Sequence, residues 1–208
     1  MTASVIVRRP VVSDVAAFPA DLSPLLKRIY AARGLQCADD LDLSMAGLLA
    51  PDLLKGMDDA VNILLAALEN SQRIVVVGDF DADGATSCAL AIKALTAMGF
   101  KDVRFLVPNR FEYGYGLTPE IVRIAAQQKP GLIITVDNGI SSVEGVEYAA
   151  KQGIDVIVTD HHLPGKTAPN ADAIVNPNQP GCDFISKATA GVGVIFYVMS
   201  DLRRELRE

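Results

Sequence analysis

From Arg73 onward, short β-branched apolar runs alternate with stretches of helical character, and few folds accommodate that alternation. Ile74–Val77 reads as a buried strand because it is short, β-branched and closed by Gly78. The turn Gly78-Asp79-Phe80-Asp81-Ala82-Asp83-Gly84 follows, and then a helical stretch, Ala85–Met98. Val103–Val107, Leu132–Val136, Asp155–Thr159 and the short Ala173–Val175 read as further strands. Pro119–Gln128, Ser142–Gln152 and Val192–Leu206 read as helices. Strands and helices spaced in this way build βαβ units, so residues 72–208 are expected to form an α/β domain, a parallel sheet with flanking helices. Residues 1–71 are expected to precede it as an irregular lead-in and a small helical region. There, Ser23-Pro24 starts a helix that ends at Gly34, and Met57–Asn70 gathers Val61, Leu64, Leu65 and Leu68 on one face.

Composition narrows the function classes. With 208 residues, 50% of them hydrophobic and 21% charged, the chain has enough apolar material for a core in one or two domains and is not disordered, collagenous or a coiled coil. A formal charge of −6 argues against a protein that coats nucleic acid, although carboxylates gathered around cations add to that tally. Cys37, Cys88 and Cys182 are widely spaced and lack a C-x-x-C pair. They read as reduced thiols of a cytoplasmic protein, not as a disulfide frame or zinc site. The first ten residues lack the order of a secretory signal, and no apolar run approaches the roughly 20 residues of a membrane span.

The chemistry lies at the strand ends. Val77 leads to Asp79, Asp81 and Asp83; Val136 leads to Asp137-Asn138-Gly139; Thr159 leads to Asp160-His161-His162. Parallel strands bring their C-terminal ends to one edge, where ligands bind in open α/β sheets. Asp at alternate positions of an extended segment would set Asp79, Asp81 and Asp83 on one side. Each group has an ordinary alternative: a solvated Asp-rich turn, a tight Asp-Asn-Gly turn, a polar loop holding the chain's two histidines. Taken together, clustered carboxylates and imidazoles suit a hard divalent cation, and no thiolate is placed to select zinc. The residue types suggest two cations, Mn²⁺ or Mg²⁺, roughly 3.5–4 Å apart and bridged by a carboxylate, as in phosphoester hydrolysis. Asp137 is the natural bridge if its strand lies between the other two. Arg110 is a candidate phosphate clamp. The amides near Gly191 and Gly193, at the start of the last helix, are candidate phosphate receivers; close helix packing would equally explain these glycines. Tyr113 and Tyr115 offer surfaces on which bases could stack.

Four segments carry a family resemblance. Gly78-Asp79-Phe80-Asp81-Ala82-Asp83-Gly84, Val136-Asp137-Asn138-Gly139-Ile140, Thr159-Asp160-His161-His162 and Ala190-Gly191-Val192-Gly193-Val194 resemble, in that order, the four motifs of the DHH phosphoesterase superfamily. Aspartate where other branches carry a motif-one histidine, together with Pro108–Leu117, is similar to the superfamily's single-strand-specific exonuclease branch. The resemblance implies a 5′→3′ exonuclease acting on single-stranded DNA in recombination and repair, with a single-strand-binding protein and a helicase as partners. It implies that Asp79, Asp81 and Asp137 hold one cation and that Asp83, Asp137 and His161 hold the second. It also implies that Asp160 orients an imidazole and that His162 contacts the scissile phosphate or protonates the leaving oxygen. A DHHA1 domain and an OB-like domain are expected downstream, which makes this chain an N-terminal catalytic core. Two rivals are a phosphodiesterase or pyrophosphatase for small substrates and a DHH scaffold without catalysis.

Overall fold

The structure, a computed structural model, describes Val7 and residues 14–207, the side chain of Arg110 excepted. The reading of the first ten residues therefore lies almost wholly outside the described part. The chain divides into two compact units, Met1–Leu49 and Ala50–Glu208. In the first, Ser23 caps helix α1 (Pro24–Ala32) by accepting from the Leu26 amide, and the Phe18 ring packs against Tyr30.

The second unit begins with helix α2 (Met57–Glu69), which turns Met57, Ala60, Val61, Leu64 and Ala67 inward; Leu65 and Leu68 are half-buried. The alternating part then runs β1 (Ile74–Gly78), α3 (Ala82–Ala97), β2 (Val103–Leu106), α4 (Arg110–Tyr113), α5 (Pro119–Ala126), β3 (Leu132–Val136), α6 (Val143–Lys151), β4 (Asp155–Thr159), β5 (Ala173–Val175) and α7 (Gly191–Glu205). The five strands form one sheet of order β2-β1-β3-β4-β5, every pair parallel. This is the expected α/β architecture.

Both faces of the sheet are covered, so β1 and β3 are buried at every position. On one face Val75, Val77, Ile133, Val156 and Val158 pack with Ile121, Val122 and Ala125 of α5 and Val146 and Ala149 of α6. Helices α3 and α7 pack together and against β1 and β3, and α2 packs on α7 and β5. Fully burying one such aliphatic side chain contributes about 1.5–3 kcal/mol, and a one-residue slip would turn every side chain of a strand to the other face, so burial holds the register. No helix among the described residues is long and apolar enough to cross a membrane.

Candidate metal centre

Register delivers the site. Gly78 pairs with Val136, and Val136 pairs with Thr159, so Asp79, Asp137 and Asp160 leave the sheet side by side. Strand β3 lies between β1 and β4, the order on which a bridging role for Asp137 depends.

The three aspartates after β1 do not line an extended segment as expected. Asp79 is buried at the strand end, and its Oδ1 accepts from the Phe80 amide at 2.8 Å. Asp81 is the N-cap of α3, its side chain accepting from the Gly84 amide at 3.0 Å. That cap starts the helix at Ala82, three residues earlier than the sequence suggests, and carries Asp83 into its first turn. There Asp83 accepts from the amides of Gly191 and Val192 at 2.8 and 2.7 Å. Gly84 is required by close approach, since a Cβ on it would lie 2.3 Å from the carbonyl oxygen of Asp79.

Asp137 sits at φ +61°, the left-handed region that non-glycine residues enter at a cost of about 1–3 kcal/mol. Next to it, Asn138 donates to the carbonyls of Val77 at 3.1 Å and Val136 at 2.9 Å, tying the ends of β1 and β3. Asp160, only 1% exposed, accepts from the amides of Ile140 (2.9 Å), His161 (2.7 Å) and His162 (3.1 Å) and from Nδ1 of His162 (2.7 Å). It thus orients the His162 ring. Nε2 of His161 lies 3.0 Å from Asp137 Oδ1 and 3.6 Å from Asp83 Oδ2.

Two groups of potential ligands result, and Asp137 belongs to both. Asp79, Asp81 and Asp137 each offer an oxygen within 4.8 Å of the others; Asp137, His161 and His162 do the same with an oxygen and two ring nitrogens. Relative to the expected ligand sets, His162 joins the second group, while Asp83 is tied to the start of α7. Charge supports a cation. Burial, followed by the charges of Asp83 and Asp81, pushes the Asp137 carboxyl up to about 7. Its Oδ1 is buried, and its one close polar neighbour is Nε2 of His161 at 3.0 Å, too poorly aligned to count as a hydrogen bond. A divalent cation would satisfy that atom and neutralise the crowded carboxylates. The donors are carboxylate oxygens and imidazole nitrogens, the set that suits Mn²⁺ or Mg²⁺. Cys88 packs behind Gly78, and burial, followed by the Asp137 charge, raises its thiol to about 11. The carboxylates and imidazoles fit divalent cations.

Burial works to lower the pKa of His162, but its hydrogen bond to Asp160 and the charges of Asp160, Asp137 and Asp79 outweigh burial and raise it. The ring remains accessible, its side chain 46% exposed.

Other expectations need correction. The Gly191 amide, offered to a phosphate by the sequence reading, donates to Asp83, and the Gly193 amide donates to the carbonyl of Ala190 at 2.9 Å. A Cβ on Gly191 would lie 2.6 Å from Asp137 Oδ1, which makes this glycine a packing requirement of the site. The side chain of Arg110 lies outside the described residues. Tyr115 brings its hydroxyl 3.3 Å from the carbonyl oxygen of Asp137 and 3.2 Å from Nδ1 of His162, while its ring stays exposed. Beside it a cavity of about 360 Å³, lined in part by Leu117, Ser141, Glu144 and His162, opens from the site. Asn176 and Asn178 carry no mark in the sequence beyond nearness to a strand end, because amides are not the ligand type the motif suggests.

A parallel sheet whose central strands end in this acidic and imidazole cluster defines the class: the chain belongs to the DHH family, whose N-terminal domain matches residues 73–208. Among named relatives, it is 55% identical over 201 residues to the single-stranded-DNA-specific exonuclease RecJ of Salmonella typhimurium, a match covering 97% of this chain and 35% of that protein. To the Bacillus subtilis protein of the same name it is 38% identical, over 89% of this chain and 24% of that one. The fold superposes on exonuclease RecJ bound to manganese with a TM-score of 0.69 and 39% identity, covering 76% of this chain and 40% of that one. It also superposes on RecJ from Thermus thermophilus in complex with Mn²⁺ with a TM-score of 0.67 and 35% identity, covering 86% and 24% of the two chains. The chain spans about a third of the length of its relatives from Salmonella and Escherichia coli.

Proposed function

We propose that this chain is the catalytic part of a metal-dependent 5′→3′ exonuclease that hydrolyses phosphodiester bonds of single-stranded DNA. The observation that carries the reading is the pair of ligand groups sharing Asp137 at the edge of the sheet. The specificity for single strands and the affinity for manganese follow from likeness to the RecJ proteins.

In this reading Asp79, Asp81 and Asp137 would hold one cation, and Asp83, Asp137 and His161 would hold the other, which leaves His162 free of metal. Bound Mn²⁺ or Mg²⁺ supplies Lewis-acid chemistry that polarises the phosphoryl group and eases deprotonation of the attacking water. His162 performs the proton step. Its Nδ1 is engaged by Asp160, so Nε2 is left to donate a proton to the departing 3′ oxygen. Water adds to phosphorus, the bond from phosphorus to the 3′ oxygen breaks, and a 5′ nucleotide leaves. A single-strand-binding protein and a helicase are partners in the same reading.

The test is Mn²⁺-dependent release of nucleotides from 5′-labelled single strands, measured with this chain and with a protein of the relatives' full length. Asp81→Ala and His161→Ala are expected to abolish release. Release by these variants equal to wild type overturns the site assignment, and a rate independent of strand length favours a phosphoesterase for small substrates.

A further inference from the structure

One continuous stretch of backbone touches the site at two places without supplying a candidate ligand. It leaves β5 at Asn176 and ends at the first turn of α7. Asn176, fully buried, donates from Nδ2 to the carbonyl of His162 at 3.0 Å and accepts at Oδ1 from the Asn178 amide at 2.7 Å. Asn178 donates from Nδ2 to the carbonyl of His161 at 2.6 Å and to that of Lys187 at 3.1 Å. Lys187 closes the stretch on itself, donating to the carbonyls of Pro177 at 2.6 Å and Cys182 at 2.9 Å. Soon after, the same backbone presents the Gly191 and Val192 amides to Asp83.

One end of this strap therefore holds the His161-His162 peptide and the other holds the Asp83 carboxylate. The distances of His161 Nε2 to Asp83 and Asp137 depend on both ends staying in place. We propose that Asn178 is a positioning residue: through the carbonyl of His161 it sets where that imidazole stands relative to Asp83 and Asp137, and so sets the affinity for divalent cations, without touching cation or substrate. The inference rests on the cation reading proposed above. The physical reason is that a hydrogen bond to a backbone carbonyl fixes the peptide plane from which the side chain projects. Partners outside the ligand set that orient a ligand typically change metal affinity about 10–100-fold when removed.

The neighbouring residue provides a matched control. Gln179 also makes two bonds from its amide, to the carbonyls of Lys55 at 3.0 Å and Ile174 at 2.7 Å, and neither leads to the histidines. The experiment is calorimetric titration of this chain with Mn²⁺, with thermal unfolding of the metal-free proteins recorded in parallel. Asn178→Ala is expected to raise the dissociation constant about tenfold. Asn178→Asp keeps the shape, turns a donor into an acceptor facing two carbonyls, and is expected to weaken binding at least as much. Gln179→Ala is expected to bind Mn²⁺ within twofold of wild type while losing thermal stability comparably to Asn178→Ala. Affinity of both Asn178 variants within twofold of wild type overturns the inference, as does equal weakening by Gln179→Ala. Wild type that takes up no Mn²⁺ overturns the proposed function and this inference with it, so the two failures are distinguishable.

Discussion

Asp160 is almost completely withdrawn from water, yet its carboxylate accepts from the amides of His161 and His162 in its own loop, from the Ile140 amide in the loop after β3, and from one imidazole nitrogen. A buried carboxylate is tolerated when such donors replace its hydration. Its charge also raises the pKa of His162, against the effect of burial. Asp160→Asn keeps the shape and removes the charge, so the His162 pKa is expected to fall. Proton NMR titration of the ring signals in metal-free protein measures this, and because the chain has two histidines, His161→Ala assigns them. An unchanged titration would show that Asp160 does not govern the ring. At this scale the sequence was informative about acids and imidazoles, whose chemistry is intrinsic. It was uninformative about Tyr115, whose hydroxyl reaches His162 across 47 residues of chain.

Among the elements, α7 does the most to shape the site, and it does so by proximity. Its first residue has no room for a Cβ beside Asp137, and its first amides neutralise Asp83 where a phosphate was expected. Gly191→Ala must push α7 or Asp137 aside. Overpacking of this kind costs about 1–3 kcal/mol, expected as a lower urea midpoint together with weaker Mn²⁺ binding. Gly193→Ala is the comparison, because the one atom a Cβ there would meet is the side-chain methyl of Thr189. Equal loss of Mn²⁺ affinity in the two variants would contradict a special role for the contact with Asp137. The start of α3 belongs to the same scale. The apolar pattern identified the helix, but a local cap by Asp81 decided that it begins at Ala82.

For the molecule as a whole, the crowding of charge predicts a pH dependence that cations should reverse. Without metal, Asp137 titrates near 7 instead of the ordinary carboxylate value of roughly 4, and His162 titrates above its ordinary value of roughly 6.5. In both cases the folded state binds the proton more tightly than the unfolded chain does. The Asp137 contribution to stability is fully present below roughly pH 4 and is lost as pH rises through about 7. The His162 contribution is fully present below roughly pH 6.5 and is lost as pH rises through its folded value. Thermal unfolding in chelator is therefore expected to show a midpoint that falls between about pH 5 and pH 8. Mn²⁺ competes with those protons, so its stabilisation should grow over the same interval. A constant offset between the two curves would contradict this account.

The sequence by itself determined the parallel α/β architecture and the kinds of atom at its ligand edge, because β-branched runs, helical periodicity and the chemistry of aspartate and histidine are local properties. It did not determine which of those atoms share a cation, or that Asp83 is held by amides 108 residues away in α7 and the histidine loop by Asn176 and Asn178. Those contacts join segments distant along the chain, and only the packing of helices and strands around a common core brings them within bonding distance.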